Sequence, residues 1–278
     1  MSNDAMSLKA KIRNLSKEKG IKAQVLLQNY MFERFLERLS LSKYVDNFVL
    51  KGGALIAAIV GIDARSTMDV DATIRGLQFS ERNILGMLDE ICSLPVPDGV
   101  KLTVGTLQRI RLDDIYGGYR ARITAIYETI ETPFLVDVST GDVITPHPVK
   151  HTLQGILDEN KQIELWAYNI ETVIAEKVET ILRRSTLNTR ARDFYDVFIL
   201  GSTQAYSADI VKQAVAATAA HRGTTNQITD VTGLLKVIEG SGNLRQMWEK
   251  YRRDFSYAEH ITYEQVMESL RDICQALL

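Results

Sequence analysis

All five prolines of this 278-residue chain (Pro95, Pro97, Pro133, Pro146 and Pro148) lie before residue 150, and none follows. Proline removes an amide donor and clashes inside a helix, so the proline-free remainder can be continuously helical in a way the first half cannot. The patterning agrees with that division. In the first half, residues 22–39 set Val25, Leu26, Tyr30, Phe32, Phe35 and Leu39 at helical spacing, and 54–60 and 81–92 also read as helices. Residues 48–50 form a short apolar run. Residues 69–74 alternate polar with apolar, as a half-buried strand does. Segments 101–111 and 119–130 are β-rich with Gly117-Gly118 as the turn between them, and 134–138 is a further strand. In the second half, Asn169 is placed to cap a helix over 170–185, with Glu171 near its positive end. Helical patterns continue over 191–200, 207–221, 229–239, 244–254 and 263–277, the last opened by a Thr262/Gln265 capping box. The expectation is an α+β, bilobed chain. A mixed α/β domain takes residues 1–160 and a helical domain takes 161–278.

Charge and cysteine content narrow the function classes. The 33 Lys and Arg residues nearly balance 35 Asp and Glu, a net charge of -2, so any nucleic-acid contact must use a local patch. Residues 1–50, with nine basic against five acidic side chains, could supply part of one. No run approaches the roughly 20 apolar residues that span a bilayer. The N-terminal stretch is polar and has no signal-peptide core, which points to a cytoplasmic protein without membrane attachment. Cys92 and Cys274 are far apart in the chain and match neither a disulfide framework nor a zinc site. His147, His151, His221 and His260 are equally scattered, and Trp166 and Trp248 read as packing residues.

The chemistry concentrates in two stretches. In the first, Lys51-Gly52-Gly53 precedes Asp69-x-Asp71. A glycine pair after a strand lets backbone amides approach a phosphate. Strand residues two apart share a face, so Asp69 and Asp71 can converge on one Mg2+, which favours carboxylate and phosphate oxygens. Asp137, inside the apolar strand 134–138, is a third carboxylate in a setting that disfavours one. Three such aspartates on adjacent strands can hold two metals about 4 Å apart. Taken singly, each feature also fits a turn or a solvent-facing strand. In the second stretch, Asp193 and Asp196 share a helical face, and Lys177 is the inward-facing candidate beside Glu176. Arg183, Arg184, Arg190 and Arg192 gather positive charge suited to a triphosphate or an RNA backbone, or to salt bridges on a solvated helix.

The stretch LKGGALIAAIVGIDARSTMDVDATI (50–74) resembles the first signature of the nucleotidyltransferase superfamily. More closely, with ETVIAEKVETILRRSTLNTRARDFYDVF (171–198), it is similar to the AbiEii-type toxins of bacterial abortive-infection (type IV) toxin–antitoxin systems. The resemblance covers most of residues 45–200 and implies a nucleotidyltransferase-like mixed sheet. It implies transfer of a nucleoside monophosphate from an NTP, GTP or a pyrimidine NTP among the options, to an acceptor hydroxyl. That hydroxyl would be on RNA and foremost on tRNA, arresting growth in phage defence. In this assignment Gly52, Gly53, Arg65, Thr67, Lys177 and Arg192 bind the nucleotide. Asp69, Asp71 and Asp137 bind Mg2+. Lys177 and Asp193 join Asp69 and Asp71 as catalytic residues, closing over the nucleotide, with Asp196 the rival acid. A cognate antitoxin, a DNA-binding repressor that forms no stable complex, is also implied. Ala54 stands where relatives often carry Ser or Thr after the glycine pair, so a hydroxyl contact to phosphate is missing there. Two other readings compete: a nucleotidyltransferase acting on a small molecule or a protein hydroxyl, and a non-catalytic nucleotide- or RNA-binding protein. Three retained aspartates speak against the second, because binding alone rarely needs two metals.

Overall fold

The computed structural model describes residues 3–67, 69–110, 117–158 and 160–278. Two compact units emerge. One takes the chain up to Asp142 and again Val149–Ala167, and the other takes Val143–Pro148 and Tyr168–Leu278.

The first unit opens with α1 (Asn3–Lys19) and α2 (Ala23–Leu41), followed by β1 (Phe48–Lys51), α3 (Gly52–Val60), β2 (Asp69–Ile74) and α4 (Glu81–Ser93). Strands β3 (Val100–Ile110), β4 (Gly118–Tyr127), β5 (Ile130–Thr140), β6 (Val149–Gln154) and β7 (Gln162–Ala167) complete it. The described strands form one mixed sheet in the order β3-β4-β5-β2-β1-β7-β6. β2 runs parallel to β5 and antiparallel to β1, while β1 and β7 are parallel. Gly118 lies within β4 rather than in a turn, and the connection 111–116, with the last residue expected in β3, falls outside the described residues. Strands β6 and β7 are absent from the expectations above.

Alternation gives the sheet two unlike faces. Phe48 and Leu50 of β1, Val70 and Ala72 of β2, and Phe134, Val136 and Val138 of β5 are all buried on one face. That face packs on α2, where Phe134 meets Phe32 edge-on at 5.1 Å between ring centroids and Phe35 at 6.1 Å. On the opposite face β1, β2, β4 and β5 carry Lys51, Asp69, Asp71, Arg120, Asp137 and Ser139. The one-residue offset between the two sets is why strands this apolar contain so many charges.

The second unit is helical: α5 (Ile170–Arg184), α6 (Ala191–Thr203), α7 (Ala208–His221), α8 (Val231–Glu239), α9 (Gly242–Asp254) and α10 (Tyr263–Cys274). Asn169 caps α5 by accepting from the Thr172 amide, and its Nδ2 donates to the carbonyls of Thr145 and His147. That bond set ties the short Val143–Pro148 segment to the head of the helix. The capping box at Thr262 and Gln265 is formed in full. Trp248 is buried and donates to the Ile261 carbonyl, whereas Trp166 of the first unit lies beneath the Arg75 guanidinium. Both cysteines are free and buried, and burial pushes each thiol up to about 12. No helix among the described residues is long and apolar enough to cross a membrane.

Candidate active site

The glycine pair does not trail β1 as a loop; it forms the first turn of α3. Gly52 has φ +62, and a Cβ there would stand 2.2 Å from an Asp71 carboxylate oxygen. Only glycine permits both the left-handed backbone and that approach. Gly53 is closed in differently: a Cβ would meet the Thr67 hydroxyl at 2.9 Å and an Arg65 nitrogen at 3.1 Å. The first turn of α3 therefore closes on the Asp71 carboxylate at Gly52 and on the Thr67–Arg65 pair at Gly53.

The three aspartates gather through strand register. Parallel pairing sets Asp71 opposite Asp137, and Asp69, two residues earlier in β2, shares their face. The Thr67 hydroxyl is buried and donates to an Asp69 carboxylate oxygen at 3.1 Å. Asn29 of α2 donates to the Thr67 carbonyl at 3.0 Å and so fixes that turn. Arg65 is only 2% exposed and donates to the Ser66 carbonyl. In this arrangement Thr67 and Arg65 shape the cradle from behind. Met68, between them and Asp69, lies outside the described residues.

Two cations on the same face take part without a role assigned from the sequence: Lys51, named there only within the glycine motif, and Arg120. Lys51, opposite Asp71 in the register, is buried, donates to Ser139 at 2.7 Å and pairs with Asp142. Arg120 of β4 donates to both Asp137 oxygens, from Nε and from a terminal nitrogen, each at 2.7 Å. The hydrogen bond to Asp137 holds the Arg120 guanidinium above its ordinary value, helped by the charges of Asp137, Asp69 and Asp71. Arg120 thus feels all three carboxylates. Nothing in its own stretch of sequence names its partner, which is fixed only by the β4–β5 register.

Among the described residues, no three His, Cys, Asp or Glu side chains are grouped closely enough to hold a metal ion as they stand. The donor chemistry still suits a hard divalent cation: carboxylate oxygens on one face, with a guanidinium already drawn to one of them. Asp69 already accepts from Thr67 and both Asp137 oxygens are taken up by Arg120, so these carboxylates would turn toward an ion only at the expense of those contacts.

The second unit carries the other candidates. Lys177 of α5 donates to Asp193 at 2.7 Å and lies 3.1 Å from an Asp196 oxygen. Asp193 and Asp196 are three apart on α6 and both buried, so one ammonium is held between two acids. The second Asp193 oxygen, Oδ2, is buried without a hydrogen-bond partner, which makes it a ready acceptor. Glu176 points elsewhere and pairs with Arg222 at 3.2 Å. Arg192 lies over the Phe255 ring at 5.5 Å. Arg183 is held by Glu179, a fully buried carboxylate that also binds Arg222 and Thr224 and that the sequence reading did not single out. Burial, together with the neighbouring Arg190 and Arg183 charges, depresses the Arg184 guanidinium.

Comparison with known proteins follows the same lines. Residues 34–273 match a family described as nucleotidyl transferase AbiEii toxin, type IV TA system. A crystal structure of a candidate nucleotidyltransferase from H. pylori superposes with a TM-score of 0.50 at 15% identity, over 91% of this chain and 96% of that one. JHP933 from Helicobacter pylori gives 0.45 at 16% identity, over 85% of this chain and 98% of that one. At such identities the first likeness is one of fold. No curated protein matches the chain.

Proposed function

The chain belongs to the AbiEii family of nucleotidyl transferase toxins of type IV toxin–antitoxin systems, and from that premise we propose that it moves a nucleoside monophosphate from an NTP onto an RNA hydroxyl, foremost on tRNA. The observation that carries this reading is the contact between Gly52 and Asp71, with Asp71 in register with Asp137. It brings a phosphate-accepting helix N-terminus against paired carboxylates.

In this reading the opening amides of α3 bind the triphosphate, with Gly52 and Gly53 allowing its approach. Asp69 and Asp71 would hold Mg2+, with Asp137 as the third carboxylate. When bound, that ion neutralises the triphosphate and polarises the α-phosphorus. The acceptor oxygen forms a bond to that phosphorus, the bond to the β-phosphate oxygen breaks, and pyrophosphate leaves. The acceptor's proton passes to a carboxylate of the same face. Thr67 orients Asp69, and Arg65 backs the cradle. Lys177 supplies positive charge to phosphate, and Asp193, with its free Oδ2, is the acid that orients it, in preference to Asp196. With Arg183 held by Glu179, the charges left for RNA are Arg184, Arg190 and Arg192. A cognate antitoxin, a DNA-binding repressor, opposes the toxin without a stable complex. The reaction is cytoplasmic, and growth arrest by it serves phage defence.

The test supplies each α-labelled NTP with Mg2+ and, separately, tRNA, other RNA, protein and small metabolites. Label is expected in tRNA, and Asp71→Asn should abolish both transfer and growth arrest. Lys177→Ala should lose more turnover than Lys177→Arg, because charge on phosphate survives in the latter. Label in a metabolite or protein fraction alone would overturn the RNA reading. Wild-type transfer by Asp71→Asn would overturn the carboxylate assignment.

A further inference from the structure

Arg120 has no role in the reading above, yet it holds both carboxylate oxygens of Asp137 on the acidic face. Its guanidinium engages both Asp137 oxygens, a two-bond fork that matches a carboxylate in geometry and charge. Asp137 lies between two neighbours in register, Arg120 on β4 and Asp71 on β2. The partners differ in freedom: the Arg120 side chain is 40% exposed, whereas that of Asp137 is 12% exposed. Arg120 can therefore swing away while Asp137 stays. Of the other cations on this face, Lys51 is buried on Ser139 and Asp142, whereas Arg122, two residues along β4, is exposed opposite Leu135.

A divalent cation and a guanidinium on one carboxylate repel each other, and more strongly beside a partly buried strand than in water. The fork that fits a carboxylate fits a phosphate equally well. We propose that Arg120 is a substrate-positioning residue that covers Asp137 while the site is empty and passes its guanidinium to the triphosphate when Asp137 is given over to the metal ion. Asp137 is in this way kept neutralised until nucleotide and cation arrive together. The inference rests on the reading of this face as a metal-dependent nucleotide site.

Two opposite effects follow from one substitution. Full-length wild type, Arg120→Ala, Arg120→Lys and Asp71→Asn are titrated with Mn2+ alone by calorimetry. Each is then titrated with α,β-methylene nucleoside triphosphates in saturating Mn2+. Arg120→Ala should bind Mn2+ alone about tenfold more tightly, since a charge-assisted competitor is gone. It should bind the nucleotide analogue about tenfold more weakly, and Arg120→Lys should fall between in both. A merely structural Arg120 would weaken both affinities together and lower the melting midpoint, which overturns the proposal. Unchanged Mn2+ affinity in both Arg120 variants, with binding lost in Asp71→Asn, would overturn it while leaving the metal reading intact. Wild-type Mn2+ binding by Asp71→Asn would overturn the two together.

Discussion

At the scale of single residues, the site depends on what is missing from Gly52. Its φ of +62 and the 2.2 Å that would separate a Cβ from Asp71 act together. Gly52→Ala strains the backbone, at about 1–3 kcal/mol, and also pushes the Asp71 carboxylate aside. Transfer is expected to be lost while the circular dichroism spectrum is retained. Gly53→Ala meets side-chain ends, Thr67 and Arg65, and its backbone is not left-handed, so part of the activity should remain. Measuring nucleotide transfer by both variants checks the ordering. Equal loss would mean that the cradle does not distinguish the Asp71 side from the Thr67 side.

At the scale of elements, the same ion-pair logic holds the scaffold. Arg38 of α2, 2% exposed, donates to both oxygens of Asp98 and to the Val100 carbonyl, fastening α2 to the start of β3. Burial pushes the Asp98 carboxyl up. The hydrogen bonds from Arg38 and the Val100 amide, with the Arg38 and Arg34 charges, outweigh it and hold the group below its ordinary 3.8. A depressed carboxylate contributes stability that is fully present above 3.8 and is lost as pH falls through the folded value. Asp98→Asn should cost about 3 kcal/mol near neutrality by leaving Arg38 buried and unpaired. Urea unfolding at pH 7 and pH 3 should show the gap to wild type closing at the lower pH; a constant gap would refute this linkage. Much at this scale was legible in advance. Helical spacing located α2, the Asn169 cap located α5, a capping box opened α10, and alternation marked β2 with both its aspartates. Less legible were pairings that depend on distant chain. Arg120 finds Asp137 across a register that no local period encodes, and Glu179 finds Arg222 43 residues away. Strands β6 and β7 are six residues each, and β7 is recruited by β1, more than 100 residues upstream. Their short alternation competes with the strong helix signal that begins at Asn169.

For the whole molecule, the crossing path of the chain matters most. Leaving the sheet after Asp142, visiting the helical unit over Val143–Pro148 and returning for β6 and β7 means that neither unit is one continuous segment. A fragment ending at residue 160 lacks β7, which lies between β1 and β6 in the sheet. It should be insoluble or lack cooperative unfolding, whereas a fragment ending at residue 167 should retain a thermal transition; comparing their melting curves checks this. If both melt alike, β7 is dispensable to the sheet. The same path sets a timetable on the ribosome. Strand β1 emerges early with one edge unpaired, and the strand that covers this edge is the last of the seven to be synthesised. An open edge is a template for pairing with other chains. For the time it takes to translate from β1 to Ala167, the nascent toxin is more exposed to aggregation and proteolysis than at any later stage.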